Sequence, residues 1–321
     1  TETAVYGTPL IVDQTVPSPA GTTGAVSTDV DSSLAGISTD NIISGYWNSY
    51  NTGLRITVPL VSDQSLEGGA VQIVGQLTGS GIQNWTRLGV YNVYDGNYDV
   101  SYNITSQQLI DLTSTVPSTP SLADSVDGGW YGVEETPGFA EGAELSFAAR
   151  VFDVAGNYTD WAESPTTLIV DQTFPTVKEV TSLDENRAYK AGDTLYISVI
   201  ASENITAPIG VLGNNSTLEL LNTSGGANRN IPFNKTSDDT IFYTYAVNAG
   251  ESSEDTDPLI TTADRLNYAA TTSLDIKATG ALIDPAGNNL ATGLPTVAGD
   301  SALAYNKNII IDTDAPVVTF T

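Results

Sequence analysis

One short pattern occurs three times in this chain and places an aspartate after an apolar run and shortly before a proline. The copies are "PLIVDQTVPSP" at 9–19, "TLIVDQTFPTV" at 167–177 and "NIIIDTDAPVV" at 308–318, and they contain Asp13, Asp171 and Asp312. A second pattern, D-x-A-G-N, occurs at 153–157 and again at 284–288. Carboxylate and amide oxygens are the ligands that Ca²⁺ prefers. These patterns therefore indicate a Ca²⁺ site, although Asp, Gly and Asn at such spacings are also typical of simple turns.

The charge balance limits what the chain can bind. It has 38 acidic and 11 basic residues, and its net charge is −27. Nucleic acid and anionic membrane surfaces are repelled by such a protein. The excess charge also strains the folded state unless cations neutralise it or salt screens it. We therefore expect Ca²⁺ as the bound ion, no nucleic-acid partner and, because no apolar run is long enough to span a bilayer, no direct membrane insertion.

The chain contains no Cys and no His. It therefore has no disulfides, no thiolate chemistry, no common transition-metal ligand and no histidine general base. No arrangement of nucleophile and base is visible, so we expect that the protein is not an enzyme. An enzyme that works with carboxylates alone, as in glycoside hydrolysis, is the alternative left open by the composition.

The repeated strand with its proline also predicts the domain organisation. Proline blocks further strand pairing and stiffens a connection, so each copy reads as the last strand of a domain followed by a linker. We expect a closing strand of a preceding domain at 1–16, a long domain at 17–174, a second domain at 175–315 and the start of another at 316–321. This organisation is that of an internal part of a longer tandem array.

Short alternating apolar runs predict an all-β fold. In the second domain they are "TVKEVTSL", "TLYISVIAS", "STLELLN", "TIFYTYAV", "SLDIKAT" and "NKNIIID". In the first they are "LRITVPL", "AVQIVGQL", "RLGVYNVY", "ELSFAARVFD" and "TTLIVD", with a short helix predicted at 105–112. About seven short strands with Gly, Asn and Asp between them favour an immunoglobulin-like β-sandwich in each domain.

Several longer phrases strengthen this interpretation. "YKAGDTLYISVIASENI" at 189–205, "LIDPAGN" at 282–288 and "NKNIIIDTDAP" at 306–316 resemble the bacterial immunoglobulin-like tandem repeats of giant surface proteins and adhesins. The first domain, with "FAEGAELSFAARVFDVAGN" and "TTLIVDQTFP", looks like a longer variant of such a repeat. The resemblance implies a β-sandwich spacer in a large secreted or surface-attached protein, often loaded with Ca²⁺ and without enzymatic activity.

Strand order in such a sandwich predicts which loops meet. The B–C and F–G loops return to the end at which the chain enters, beside the linker carboxylate. In the second domain this end would carry Asp171, Glu203, Asn204, Asp284, Asn288 and Asn289. In the first domain it would carry Asp13, Asp63, Asp153 and Asn157, with Asp160 as a further candidate. Asp312 would be the linker ligand of the next junction. Carboxylates, amides, carbonyls and waters of this kind fill the six to eight positions around Ca²⁺.

Two other acidic segments are weaker candidates. Asp95, Asn97 and Asp99 have the first three spacings of an EF-hand-type loop, but Val100 and Ser106 occupy the positions of its Gly and Glu. The alternative there is a two-residue hairpin turn at Asp95-Gly96, which we favour. Glu254, Asp255 and Asp257 form a third acidic cluster, of the kind that more often lies in a solvated loop.

The function that best fits these features is a structural extender of a long cell-surface protein, stiffened by Ca²⁺ at its domain junctions. Its partners would be the adjacent repeats, with other surface proteins or glycans as further candidates, and its location extracellular. One alternative is a subunit of a surface-layer lattice. Another is an adhesin module that binds glycans through Trp47, Trp85, Trp130 and Trp161, although a buried Trp is commoner in this fold.

Overall fold

The chain forms two compact units, Thr1–Gln172 and Thr173–Thr321, which we call unit 1 and unit 2. The computed structural model describes residues 27–30, 43–51, 53–60, 66–77, 85–93, 99–105, 141–164, 167–207, 216–222, 227–253, 264–276 and 282–316. Almost all regular structure in these ranges is β-strand, which confirms the prediction of an all-β fold. Within the same ranges, no helix is long and apolar enough to cross a membrane.

The described residues of unit 1 form two sheets. Its strands are β1 (Ser27–Val30), β2 (Tyr46–Asn48), β3 (Gly53–Pro59), β4 (Ala70–Leu77), β5 (Trp85–Asn92), β6 (Asp99–Thr105), β7 (Glu144–Phe152), β8 (Ala162–Glu163) and β9 (Leu168–Asp171). One sheet has the order β1-β3-β6. The other has the order β2-β9-β7-β4-β5, with β8 paired to β7.

Both sheets of unit 1 contribute to one hydrophobic core. Ile56 and Val58 of β3 pack in the same cluster as Val71 and Ile73 of β4. The central strand β7 is buried at every position after Glu144. A strand that is covered on both faces needs apolar residues without strict alternation, and "ELSFAARVF" has that character.

Unit 2 has a six-stranded sheet with the order β10-β12-β15-β14-β13-β16 and a two-stranded sheet of β11 and β17. The strands are β10 (Val177–Ser182), β11 (Ala188–Tyr189), β12 (Thr194–Ala201), β13 (Thr217–Leu220), β14 (Arg229–Ser237), β15 (Thr240–Ala246), β16 (Leu274–Asp275) and β17 (Ile310–Ile311). A short helix, α1 (Leu303–Asn306), contacts β10.

The strand β12 follows the predicted alternation only in part. Leu195, Ile197 and Val199 are buried in the core of unit 2, and Tyr196 is exposed, as the sequence predicts. Ser198 was expected on the open face but is only 2 % exposed. The second half of β12 is therefore covered on both faces.

Two copies of the repeated apolar segment form strands with the same kind of partner. β9 pairs in parallel with β2, and Asn48 lies opposite Asp171. β17 pairs in parallel with β11, and Tyr189 lies opposite Ile311. Because the partner strands have only two or three residues, each repeated segment is held by a short parallel contact near the end of its unit. The first copy, with Asp13, lies outside the described residues.

Asp95-Gly96, where a hairpin turn is predicted, lies outside the described residues. β5 pairs with β4, and β6 pairs with β3, so the segment 93–98 joins two different sheets. The "DG" pair predicts a local turn but gives no information on which strand the chain meets next. The helix predicted at 105–112 begins at the last residue of β6, and 106–112 lie outside the described ranges.

Candidate metal site

The two D-x-A-G-N segments form the same turn. In unit 2 the backbone N–H of Asn288 donates to Asp284 Oδ1 at 2.8 Å, and Asn288 Nδ2 donates to Asp284 Oδ2 at 2.9 Å. In unit 1 the corresponding bonds from Asn157 to the Asp153 carboxylate are both 2.8 Å long. Gly287 and Gly156 have φ values of 93° and 88°, a region that glycine enters at little steric cost. The local sequence is therefore sufficient to build the turn.

This turn holds a buried carboxylate. Asp284 is only 1 % exposed. Burial raises the pKa of the Asp284 carboxyl, although the hydrogen bonds from Asn288, Ala286 and Gly287 act in the opposite direction. Loss of solvation penalises the charged form, and donors that face it favour that form. A cation close to Asp284 would supply the solvation that burial removes.

Asp284 has two other carboxylates beside it. Oxygen atoms of Asp171, Glu203 and Asp284 all lie within 4.8 Å of one another. Asp284 is buried, and Asp171 and Glu203 are half-buried. Two oxygens bound to one Ca²⁺ at about 2.3–2.6 Å lie at most about 5.2 Å apart. The three carboxylates are thus close enough to share one divalent cation.

Backbone hydrogen bonds explain why Glu203 and Asp284 meet. Glu203 follows β12, and Asp284 lies in the turn between 282 and 290. Thr206 and Ile283 form an antiparallel bridge, in which Thr206 N donates to Ile283 O at 2.7 Å and Ile283 N donates to Thr206 O at 3.0 Å. This bridge joins the two loops one residue before Asp284.

The segment after Asp171 is bonded to the same loops. The amide of Ser202 donates to the Thr176 carbonyl at 2.7 Å, and the Thr176 amide donates to Ser202 Oγ at 2.9 Å. The amide of Ala291 donates to the Pro175 carbonyl at 2.8 Å. Asp171 itself is the last residue of β9, two residues before the start of unit 2. The connecting segment, residues 172–176, is thus bonded through Pro175 and Thr176 to the parts of unit 2 that follow β12 and the Asp284 turn.

The cluster suits a hard cation. Its ligand atoms are carboxylate oxygens, and the chain has no Cys or His that would favour a softer metal. Three like charges at this separation repel one another unless a cation or a proton lies among them. The arrangement can therefore bind a divalent cation through oxygen, which is the chemistry indicated by the sequence.

The other predicted ligands of unit 2 have different surroundings. Asn288 is fully buried and bonded to Asp284, so it positions the carboxylate through its N–H groups. Asn289 forms a bridge with Ile283, and Asn204 is exposed. Asp312 follows β17, and its Oδ1 accepts a hydrogen bond from the Asp314 amide at 3.0 Å. This last contact is a turn, and 317–321 lie outside the described residues.

Of the ligands predicted in unit 1, the structure describes Asp153, Asn157 and Asp160. Asp153 and Asn157 meet in the turn described above, and Asp160 is exposed. The weaker candidate Asp99 begins β6. The remaining candidates lie outside the described residues: Asp13, Asp63, Asp95, Asn97, Glu254, Asp255 and Asp257.

A buried arginine that the sequence patterns do not single out lies next to the unit 1 turn. Arg150 is 3 % exposed, and its Nε donates to Gln72 Oε1 at 2.8 Å. Its guanidinium carbon lies 4.9, 5.0 and 4.6 Å from the ring centroids of Phe152, Tyr158 and Trp161. Burial lowers the pKa of Arg150. A signal was present, since a lone Arg in an apolar strand needs a polar partner and aromatic cover.

Two tryptophans proposed for glycan binding have other contacts. Trp47 is 2 % exposed and belongs to the core of unit 1. Trp161 lies against Arg150. Trp47 is therefore a core residue, the commoner fate of Trp in a β-sheet protein. Trp130 lies outside the described residues, and Trp85 begins β5.

Comparison with known proteins adds little to these observations. No known protein family and no curated protein matches the chain. Among solved structures, it is similar to a DUF4785 family protein from Legionella pneumophila, with 12 % identity and a TM-score of 0.25. The match covers 82 % of this chain and 56 % of that protein, so the chain spans little more than half of its length. A likeness at this TM-score carries no argument about fold or function.

Proposed function

We propose that the chain is a structural extender of a large cell-surface protein, made of tandem immunoglobulin-like β-sandwich domains and stiffened by Ca²⁺. The observation that carries this proposal is the meeting of Asp171, Glu203 and Asp284 within 4.8 Å. Asp171 is the repeated aspartate that immediately precedes the connecting segment. A cation bound there would therefore act on the link between successive domains.

The strand arrangement supports the sandwich part of the proposal. In unit 1, strands of two separate sheets share one core. In both units the closing strand pairs in parallel with a short strand from the first part of the unit. Antiparallel sheets packed over one core, closed by short edge contacts, suit a domain that repeats along a chain.

Ca²⁺ would act mechanically. Without a cation, the carboxylates of Asp171, Glu203 and Asp284 repel one another, and the connecting segment moves away from the loops of unit 2. With a cation they share one ion, and the segment is fixed to those loops. Extracellular Ca²⁺ at a hundred times the dissociation constant would raise the free energy of unfolding by about 2.7 kcal/mol. That is a large part of a domain's total stability of about 5–15 kcal/mol.

The proposed role is passive and extracellular. It involves no catalytic step, which agrees with the absence of Cys and His from the chain. The partners would be neighbouring repeats, and a net charge of −27 would keep such an array soluble and extended in salt and Ca²⁺.

Small-angle X-ray scattering of the intact chain tests the proposal, with Asp171→Ala compared with Asp300→Ala. Asp300 is an exposed aspartate of unit 2 outside the cluster, so both variants lose the same charge. We expect Ca²⁺ to narrow the distribution of overall sizes, measured as the radius of gyration, in the wild type and in Asp300→Ala. The scattering curve of Asp171→Ala should be the same with and without Ca²⁺, while its circular dichroism spectrum should match that of the wild type. An Asp171→Ala protein that Ca²⁺ orders as it orders the wild type would refute the proposed role.

A further inference from the structure

Unit 2 contains a pocket whose lining includes none of the carboxylates of the metal site. The cavity has a volume of about 330 Å³ and is lined by residues that include Leu221, Arg265, Asn267, Tyr268, Val297 and Tyr305. This volume lies at the lower end of the range of about 300–1,000 Å³ that small-molecule sites occupy. The pocket therefore has room for a small ligand.

Hydrogen bonds fix the walls of the pocket. The amide of Leu221 donates to the Asn267 carbonyl at 2.9 Å, and Tyr268 Oη donates to the Pro295 carbonyl at 2.6 Å. Arg265 Nη1 donates to the Ala304 carbonyl at 3.2 Å. Segments far apart in the sequence are thus bonded together around the cavity. A site whose walls are already fixed loses little conformational entropy when a ligand binds.

Two polar atoms on the lining side chains lack partners. Within the described part of the chain, Arg265 Nε and Asn267 Oδ1 are buried and make no hydrogen bond. The orientation of the Asn267 amide is fixed, because its Nδ2 donates to the Val297 carbonyl at 2.9 Å. Buried polar groups normally have partners, and each one left without costs free energy. Both side chains also line the pocket, so its wall is polar at this point.

The remaining surface of the pocket is apolar and open to solvent. Leu221, Val297 and Tyr305 are 41 %, 38 % and 46 % exposed. These three are among the few large apolar side chains of the described residues that are exposed to this degree, and they line one cavity. Exposed apolar side chains grouped around a concave site, with a few polar groups, are typical of ligand binding.

We propose that this pocket binds a neutral sugar residue. A sugar hydroxyl both donates and accepts, which suits a lining that contains the Arg265 and Asn267 side chains. The apolar face of the sugar ring packs on Tyr305, with Leu221 and Val297 at its edge. An anionic ligand fits less well, because the net charge of −27 opposes its approach.

An extended peptide is the less favoured occupant. Its backbone also offers a donor and an acceptor, but peptides of this kind usually add as a strand to a free sheet edge. The strand next to the pocket, β13, is paired with β14 on one side and with β16 on the other. Near Leu221 the edge opposite β14 is occupied by a bridge between Leu220 and Tyr268, so no free edge of β13 is available there.

Saturation-transfer NMR on the intact chain tests this assignment. The probes are glucose, galactose, mannose and N-acetylglucosamine, with N-acetyl-leucine amide as the neutral peptide-like probe. We compare the wild type with Tyr305→Ala and with Tyr196→Ala. Tyr196 lies on β12 outside the pocket and is 44 % exposed, so it is a matched control for Tyr305 at 46 %.

We expect saturation transfer to at least one sugar in the wild type and in Tyr196→Ala. Tyr305→Ala should weaken binding of that sugar by about tenfold, since the variant loses the aromatic contact and its buried area. Arg265→Lys, which keeps the charge but removes Nε, should weaken it as well. Transfer to none of the sugars, transfer only to N-acetyl-leucine amide, or sugar binding that persists in Tyr305→Ala would overturn the proposal.

Discussion

The turns at Asp153–Asn157 and Asp284–Asn288 have the same hydrogen bonds but different surroundings. Each buries an aspartate that accepts from the N–H and Nδ2 of an asparagine four residues later. In unit 2, Asp284 lies beside Asp171 and Glu203. In unit 1, the strand that leads to Asp153 carries the buried Arg150 with its aromatic neighbours.

Within the described part of the chain, this difference distinguishes a turn that orients one carboxylate from a site that groups several. The local sequence D-x-A-G-N is sufficient to orient a carboxylate, because Gly accepts the positive φ and Asn supplies two donors. The charge around that carboxylate depends on which other loops arrive, and that depends on the fold. A turn becomes a candidate metal site only where several carboxylates converge.

The largest effect concerns the packing beneath the unit 1 turn. A Cβ on Gly69 would collide with the carbonyl oxygen of Phe152 and lie 3.1 Å from the carbonyl carbon of Asp153. Gly69→Ala should therefore lower the free energy of unfolding of unit 1 by about 3 kcal/mol. Urea unfolding followed by tryptophan fluorescence measures this directly, since all four Trp residues lie in unit 1.

Gly293→Ala is the matched control for Gly69→Ala. A Cβ there meets nothing within 4 Å, so the substitution should change stability by less than about 0.5 kcal/mol. Because unit 2 contains no Trp, its unfolding is followed by far-ultraviolet circular dichroism. Equal effects of the two substitutions would contradict the close packing described for Gly69.

The next largest expected effect is the difference in stability lost when the asparagine of each turn is replaced. Asn288→Ala removes a donor to a carboxylate in a fully buried setting, and Asn157→Ala removes its counterpart in a part-buried one. We expect Asn288→Ala to cost about 2 kcal/mol and Asn157→Ala about 1 kcal/mol, since an unpaired buried charge is more expensive. Chemical denaturation of both variants in chelator measures the difference. A larger loss for Asn157→Ala would mean that burial is not what distinguishes the turns.

A smaller effect isolates the repulsion at the acidic cluster. Asp171→Asn keeps the shape of the side chain but removes one of three neighbouring charges. In chelator this variant should be more stable than the wild type by about 1 kcal/mol or less. In Ca²⁺ the order should reverse, because the ion loses a charged ligand. Asp300→Asn, outside the cluster, should show no such reversal, and a reversal there would assign the effect to general charge rather than to the cluster.

Buried tyrosines should make the free energy of unfolding of unit 2 depend on pH only in alkali. Burial raises the pKa of Tyr268 to about 12, and it also raises the pKa values of Tyr243 and Tyr245. The unfolded tyrosines titrate near pH 10. Stability is therefore fully present below about pH 10 and is lost as the pH rises towards about 12, because the unfolded state releases its protons first.

Unit 1 should respond less to alkali than unit 2. Among its described residues, Tyr91 is the tyrosine whose pKa burial raises. In an alkaline titration in chelator, the far-ultraviolet signal should therefore fall before the tryptophan fluorescence of unit 1 changes. Simultaneous transitions would show that buried tyrosines do not set the alkaline limit of unit 2.

The sequence was most informative where local pattern and burial agree. "AVQIVGQL" forms β4 with the predicted limits, and "TLYISVIAS" contains β12. β14 was missed because it is largely polar and contains Pro232, which lacks the N–H of a regular strand partner. It forms nevertheless because its neighbours β13 and β15 supply the pairing. Tertiary contacts of this kind cannot be inferred from alternation within one segment.

The acidic cluster could be anticipated because strand direction decides which loops meet. Asp171, Glu203 and Asp284 were named from that rule, and their carboxylates come together. The rule could not distinguish Asn288, which bonds to Asp284, from a direct ligand, since that choice depends on side-chain orientation. The strand-direction rule also does not predict the pocket at Arg265 and Tyr305, because its walls come from separate segments of the chain.

The central claim is that Ca²⁺ binds among Asp171, Glu203 and Asp284, and a calorimetric melt tests it most directly. The intact chain is heated in millimolar Ca²⁺, after chelation, and in Mg²⁺ at matched ionic strength as the screening control. We predict a rise in Tm that is specific to Ca²⁺ and equivalent to about 2.7 kcal/mol at a hundred times the dissociation constant. A Tm in Ca²⁺ no higher than in Mg²⁺ would contradict the account and leave Asp171 as a turn residue.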